Sequence, residues 1–299
     1  MKKLTVFCAA ACLAASAAAQ NHPDLHEVLD RQKGRNLIEI PKGTYTLDVR
    51  SNGPYKFHNL TDVHINGNGS TVICNNQEQA FSFYNCVRVE LHDLTIDYDP
   101  LCFTQGEITA VAEDGSWFDV RIDEGYPVTG LAANRVQFYD PQTRLLKRNS
   151  ITTYTSNYSA LKQLGHNLFR AVKNGTWSAG EQVGDLVVMD VKTDKPNAGV
   201  HTVMLNKCYN TKLENVTVYG SNTFSFFEKE GYANEYRNCV VDRGPMPQGI
   251  RPRLRSGNAD GIHSSQARKG PTVTGCKVGH NGDDCIIVDG KKITIYAIK

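Results

Sequence analysis

Apolar and polar residues alternate over short stretches of this chain, and several of the stretches superpose. Cys86-Val-Arg-Val-Glu-Leu-His-Asp-Leu-Thr-Ile96 and Cys208-Tyr-Asn-Thr-Lys-Leu-Glu-Asn-Val-Thr-Val218 align without gaps, and Thr61-Asp-Val-His-Ile-Asn-Gly67 follows more loosely. Each is enriched in β-branched residues and broken by polar turn residues, the signature of a strand. Ile65 to Leu91 is 26 residues, Val218 to Val241 is 23, and Val273-Thr-Gly-Cys-Lys-Val278 carries the pattern once more. Short strands recurring at such a period, without helices between them, predict a solenoid. The L-x-x-L-x-L-x-x-N frame of leucine-rich repeats is missing, so the expectation is an all-β parallel β-helix in which each coil pairs with the next.

A coil stack needs its ends covered, because an open coil is an exposed strand edge. Asp24 to Lys33 reads as a short amphipathic helix and Asn36 to Tyr45 as a first strand and turn, together an N-terminal cap. Between Pro100 and about Val200 the period disappears. Glu107 to Ala112 and Trp117 to Ile122, joined through Asp114-Gly115, form a hairpin signal, and Arg135–Tyr139, Leu168–Val172 and Asp185–Met189 read as further strands. This stretch is expected to be an inserted antiparallel, barrel-like β domain closed on itself. It could shape a cleft, make a homo-oligomer, or simply pack. The predicted organisation is residues 1–19 as a leader, 20–100 as cap and first coils, 101–200 as insertion, and 201–299 as further coils.

The leader reading comes from Met-Lys-Lys, an apolar run from Leu4 to Ala15, and Ala17-Ala18-Ala19 before Gln20. That is a signal peptide cleaved near Gln20, which predicts a secreted or periplasmic protein. Removing Lys2 and Lys3 brings 33 basic residues to 31, against 31 acids. With no run of like charge, nucleic acid is not an expected partner. No further apolar stretch is long enough to span a membrane. Seven cysteines remain after the leader, an odd number. Cys86 and Cys208 precede matching leucines, and Cys239 and Cys276 precede matching valines, so they are expected to stack inside as small hydrophobes. No metal-ligand spacing and no cofactor motif occurs.

The passage with chemistry is Asn258-Ala-Asp-Gly-Ile-His263 followed by Gly282-Asp-Asp-Cys-Ile286. Asp260 lies 23 residues before Asp283 and 24 before Asp284, one coil of the repeat. Adjacent strands lie about 4.8 Å apart, so the three carboxylates should share one patch of wall. Aligning Val278 with Val218 sets Asp284 at the position of Phe224 and Ile286 at that of Phe226. Clustered carboxylates repel, and one should hold its proton more tightly. A protonated acid beside ionised bases suits inverting glycoside hydrolysis, which needs about 6.5–9.5 Å between acid and base to admit water. Turn residues between coils are the competing reading.

These motifs resemble those of the pectin-lyase-like right-handed β-helix enzymes. Asn258-Ala-Asp260 and Gly282-Asp-Asp284 are similar to the N-T-D and G-D-D motifs of family 28 polygalacturonases, with Ala259 in place of threonine. Leu94-Thr-Ile-Asp-Tyr-Asp-Pro100, Phe103-Thr-Gln-Gly106 and Asp260 to Arg268 look more like the family 110 α-1,3-galactosidases, which add β-barrel insertions to the β-helix. The resemblance implies an oligo- or polysaccharide substrate, Asp283 as general acid, and Asp260 and Asp284 positioning and deprotonating water. It also implies site residues on coils after Gly282-Asp-Asp that the fifteen residues following Asp284 do not supply, so the sequence reads as truncated at its C-terminus.

Asn258, His263 and Arg255 are candidate substrate-binding residues. Arg251, Arg253 and Arg255 alternate along an extended stretch and would grip a hydroxyl or carboxylate, or lie in a solvated loop. Two other readings remain open: a Ca²⁺-dependent polysaccharide lyase with Arg251 as base, and a non-catalytic glycan-binding solenoid. Trp117 and Trp177 are expected to be packing residues, and the N-x-S/T sequons at Asn59, Asn68, Asn157, Asn174 and Asn215 products of a polar repeat.

Overall fold

The computed structural model describes residues 22–192 and 200–290. The leader and the predicted last strand, Ile293 to Ile298, lie outside the described residues. The chain is nearly all β, and no helix among the described residues is long and apolar enough to cross a membrane.

Two parallel sheets are built from the repeats. The first runs through Leu37–Glu39, Thr61–Cys74, Val87–Tyr98, Lys212–Val218, Glu235–Arg237 and Thr272–Thr274. The second runs through Tyr55–His58, Phe81–Tyr84, Val203–Asn206, Phe226–Lys229, Ile262–Ala267 and Ile286–Gly290. Chain segments alternate between the sheets, so each circuit lays one strand on each and pairs it with the circuit before. The registers follow the expected alignment: Ile65 pairs with Leu91, Leu91 with Leu213, and Val218 with Val241. This is the coil topology of a parallel β-helix. One coil is longer than the repeat suggests, with Val241 pairing with Val278, because residues 242–259 leave the wall and return.

Alternation decides what fills the interior. In Tyr55–His58 and Phe81–Tyr84 the buried positions are Tyr55, Phe57, Phe81 and Phe83, and Phe57 stacks on Phe83 one coil away at 4.8 Å between ring centroids. Identical facing positions in successive coils are what such a stack demands. Cys74, Cys86, Cys102, Cys208 and Cys239 are buried free thiols, in keeping with small apolar packing. At the corner after Leu213, Asp93, Asn215 and Asn238 stack in left-handed conformation, and the Asn215 amide donates to the Asp93 carboxylate at 2.8 Å. Asn59 and Asn85 make a similar rung, and Asn68 turns another corner against Glu39. With Asn157 accepting from the Tyr154 N–H and Asn174 donating to the Ser156 carbonyl, the side chains of all five sequon asparagines are already engaged.

The helix expected near Asp24 is Leu25–Asp30, capped by the Asp24 carboxylate and burying Leu25 and Leu29 in the main apolar cluster. The stretch 101–192 forms a six-stranded antiparallel sheet, ordered 158–163, 168–173, 117–122, 103–111, 186–190, 137–139. The Phe103–Val111 and Trp117–Ile122 hairpin is present, with Gly115 at φ 73° in its turn. The sequence pattern missed Tyr158–Gln163, an edge strand whose residues are mostly solvent-facing and so lack a clear alternation. The outer edge of 137–139 is bridged in turn by Leu146, and Val136 by Thr153. This sheet has its own apolar cluster, joined by Leu254, Met246 and Ile250 from the long coil. Trp117 lies under the Arg170 guanidinium and Trp177 under the Lys173 ammonium, so both are engaged within this sheet.

Candidate active site

The long coil returns to the wall along residues 251–260, and each arginine of this stretch has a carboxylate waiting. Arg251 reaches Glu107 and Asp123. Arg253 grips both oxygens of Asp97 at 2.8 Å and donates to the Tyr219 carbonyl. Arg255 bonds Asp190 at 2.9 Å and the Arg135 carbonyl at 2.8 Å. The alternation read from sequence is real, but its partners are internal. Arg255 and Asn258 have no exposed surface, so neither offers a group to a sugar. The Asn258 amide donates to the Cys102 carbonyl at 2.8 Å. Both residues correct the expected substrate-binding roles: they tie the long coil to the antiparallel sheet and fix the strand that follows.

Asp260 precedes that strand. Phe226 pairs with Ile262 and Ile262 with Ile286, which sets Phe224, Asp260 and Asp284 in one column, as the register predicted. The Gly261 N–H donates to the Asp284 carbonyl at 3.0 Å, so Asp260 and Asp284 are nearest neighbours across the two coils. Glycine is required on both sides of this contact. A side chain at Gly261 would come within 2.1 Å of Val278 Cγ1, and one at Gly282 within 2.4 Å of the Asn258 carbonyl oxygen.

The three carboxylates differ in surroundings. Asp260 is 3 % exposed, and its Oδ2 lies 2.6 Å from His263 Nδ1. Burial pushes the Asp260 carboxyl above its ordinary value; the His263 bond opposes this, and the nearby Asp283 and Asp284 charges add to it. Asp283 and Asp284 are exposed, and the Asn281 amide holds both of their backbone carbonyls. Asp283 faces the Arg135 guanidinium at 3.7 Å.

Arg135 was not foreseen. It comes from the antiparallel sheet, has a left-handed backbone at φ 43°, and its buried Nε has no hydrogen-bond partner among the described residues. Such a conformation is costly for a non-glycine residue and persists where the surroundings impose it. Gln137 from the same segment donates to the Gly282 carbonyl at 3.1 Å. No local motif marks either residue, because their partners lie about 145 positions away.

His263 continues a stack of rings on the outer wall. Phe224 lies parallel to it at 4.2 Å, and His201 lies on Phe224 at 4.7 Å. Burial, and then the His263 charge, lower the His201 pKa to about 4, and its Nδ1 bonds Thr223 Oγ1 at 2.8 Å. A separate polar cleft lined by Glu107, Arg121, Asp123, Glu124, Asn167 and Arg251 belongs to the antiparallel sheet, and its lining includes neither Asp260 nor Asp283 nor Asp284. Arg251 sits there in two ion pairs, which speaks against its expected role as a lyase base beside Asp260.

No protein-family model and no curated protein matches the chain. Among solved structures, a "putative glycosyl hydrolase" from Parabacteroides merdae aligns over 88 % of this chain and 84 % of its own, at 9 % identity and a TM-score of 0.32. The tailspike protein gp49 of Pseudomonas phage LKA1 aligns over 77 % of this chain and 38 % of its own, at 14 % identity and a TM-score of 0.23. At these scores neither likeness carries the argument, and the fold stands on the strand registers alone.

Proposed function

We propose that this protein is a carbohydrate-active enzyme, an inverting glycoside hydrolase of α-galactosidase type, exported through its leader. Residues 22–100 and 201–290 act as the coil stack, with the helix at Leu25–Asp30 as its cover, and residues 101–192 as an insertion bordering the site. The observation that carries the reading is the column in which nearly buried Asp260 stands one coil from exposed Asp283 and Asp284. Three carboxylates within one coil step of each other can divide acid and base work among them, and the motif resemblance assigns the roles. Asp283 gives its proton to the departing glycosidic oxygen, while Asp260 and Asp284 hold and activate water on the opposite side of the sugar. A second reading, hydrolysis of an acidic glycan, is favoured by Arg135, a cation beside Asp283.

The test is Asp283→Asn assayed on α-galactosides and polygalacturonate. Loss of about 10²–10⁴-fold in kcat/KM is expected for removal of a general acid. Undiminished cleavage by the variant contradicts the reading, as does a wild-type protein that binds glycans and cleaves none.

A further inference from the structure

The side chain of Asp260 is 5 % exposed, and that of His263 is 18 % exposed. Seen from solvent the carboxylate lies behind the imidazole, so a ligand on this wall meets His263 first. The bond between them, 2.6 Å from Nδ1 to Oδ2, is as short as strong charge-assisted bonds become. The ring has little freedom to leave it. Phe224 covers one face at 15° between planes, and Phe227 meets it edge-on at 5.5 Å. His263 occupies an outward position on Ile262–Ala267, and none of the described residues bonds its Nε2. With Nδ1 committed to Asp260, the neutral ring presents an unshared pair at Nε2. A base oriented by a buried carboxylate behind it is the arrangement found in the hydrolytic triads.

We infer that His263 Nε2 is the general base of this site and that Asp260 is its positioning residue. The inference rests on the hydrolase reading and moves the water-activating role one residue outward. As the water oxygen bonds the anomeric carbon, its proton passes to Nε2. The bond from that carbon to the leaving oxygen breaks with its electron pair on the oxygen, which takes the proton of Asp283. His263 ends protonated and Asp283 ionised, and solvent returns the proton from one to the other. Burial of Asp260 is consistent with its position behind the ring. Besides Asp260, the titratable and charged groups on the elements around His263 are His201, Lys229, Asp283, Asp284 and Asp289, with Glu228 buried against Ser264 and Arg135 beyond Asp283.

The experiment uses an α-galactosyl disaccharide, whose sugar alkoxide needs a proton to depart, and α-galactosyl fluoride, whose fluoride departs without an acid. Asp283→Asn is expected to lose the galactoside and keep the fluoride, and His263→Gln to lose both by about 10²-fold or more. Asp260→Asn should lower kcat more than it changes KM and displace the acid limb of the pH profile. A His263→Gln variant that hydrolyses the fluoride at the wild-type rate overturns the assignment. If the wild-type protein cleaves neither probe, the hydrolase reading fails, and nitrogen-15 NMR of the imidazole still decides the geometry. The Nδ1–H tautomer, lost in Asp260→Ala, is expected; an Nε2–H tautomer overturns it.

Discussion

Glu228 has no exposed surface and points into the coil interior, where Ser264 Oγ donates to it at 2.7 Å and Asn234 Nδ2 at 2.9 Å. Burial raises its pKa, and the bonds from Ser264 and Asn234 oppose the shift without cancelling it. A carboxyl that binds its proton more tightly when folded contributes stability that is complete below the unfolded pKa. That contribution is lost as pH rises through the folded pKa. Glu228→Gln keeps the hydrogen-bonding shape without the buried charge. Urea unfolding should find it more stable than wild type at pH 7.5, with the difference vanishing near pH 4, below the unfolded carboxyl's ordinary value. The same logic separates the site aspartates: their types and spacing were legible in Asn258-Ala-Asp260 and Gly282-Asp-Asp284. Which one is buried was not, because it depends on Phe224 and His263 stacking over the column.

The returning segment 251–260 is the element that joins the coil stack to the antiparallel sheet. On the antiparallel side it is held through Arg255 with Asp190, and on the stack side through Arg253 with Asp97, both buried, where two parallel hydrogen bonds of 2.8 Å balance the charges. Removing one partner of such a pair leaves a buried charge uncompensated and typically costs about 3–5 kcal/mol. Asp97→Asn should destabilise by that order in denaturant unfolding, whereas Asp62→Asn, which breaks the exposed Arg88 pair, should leave the transition in place. Coil strands were legible because a stack repeats its inward residues, as Leu91 and Leu213 do. The arginines were legible only as an alternation. Asp97 and Asp190 lie 156 and 65 positions from their arginines, and nothing local separates such ion pairs from a sugar grip. Tyr158–Gln163 was missed for the opposite reason, since an edge strand facing solvent has no inward pattern to repeat.

At the scale of the molecule, two sheet systems with separate cores meet along one line, where Arg135 and Gln137 touch the Asp283 coil and Asn258 reaches Cys102. The parallel stack supplies the carboxylates at coil spacing, and the antiparallel sheet supplies the cation beside them. The period read from sequence carries over to the stack, while the contact between the two systems had no periodic signature to read. An inverting hydrolytic site along this line is tested most directly by proton NMR of the first product formed. Wild-type protein, given α-galactosides or polygalacturonate, should release a sugar whose anomeric configuration is opposite to that of the bond cleaved. Retained configuration, or an unsaturated product, would contradict it.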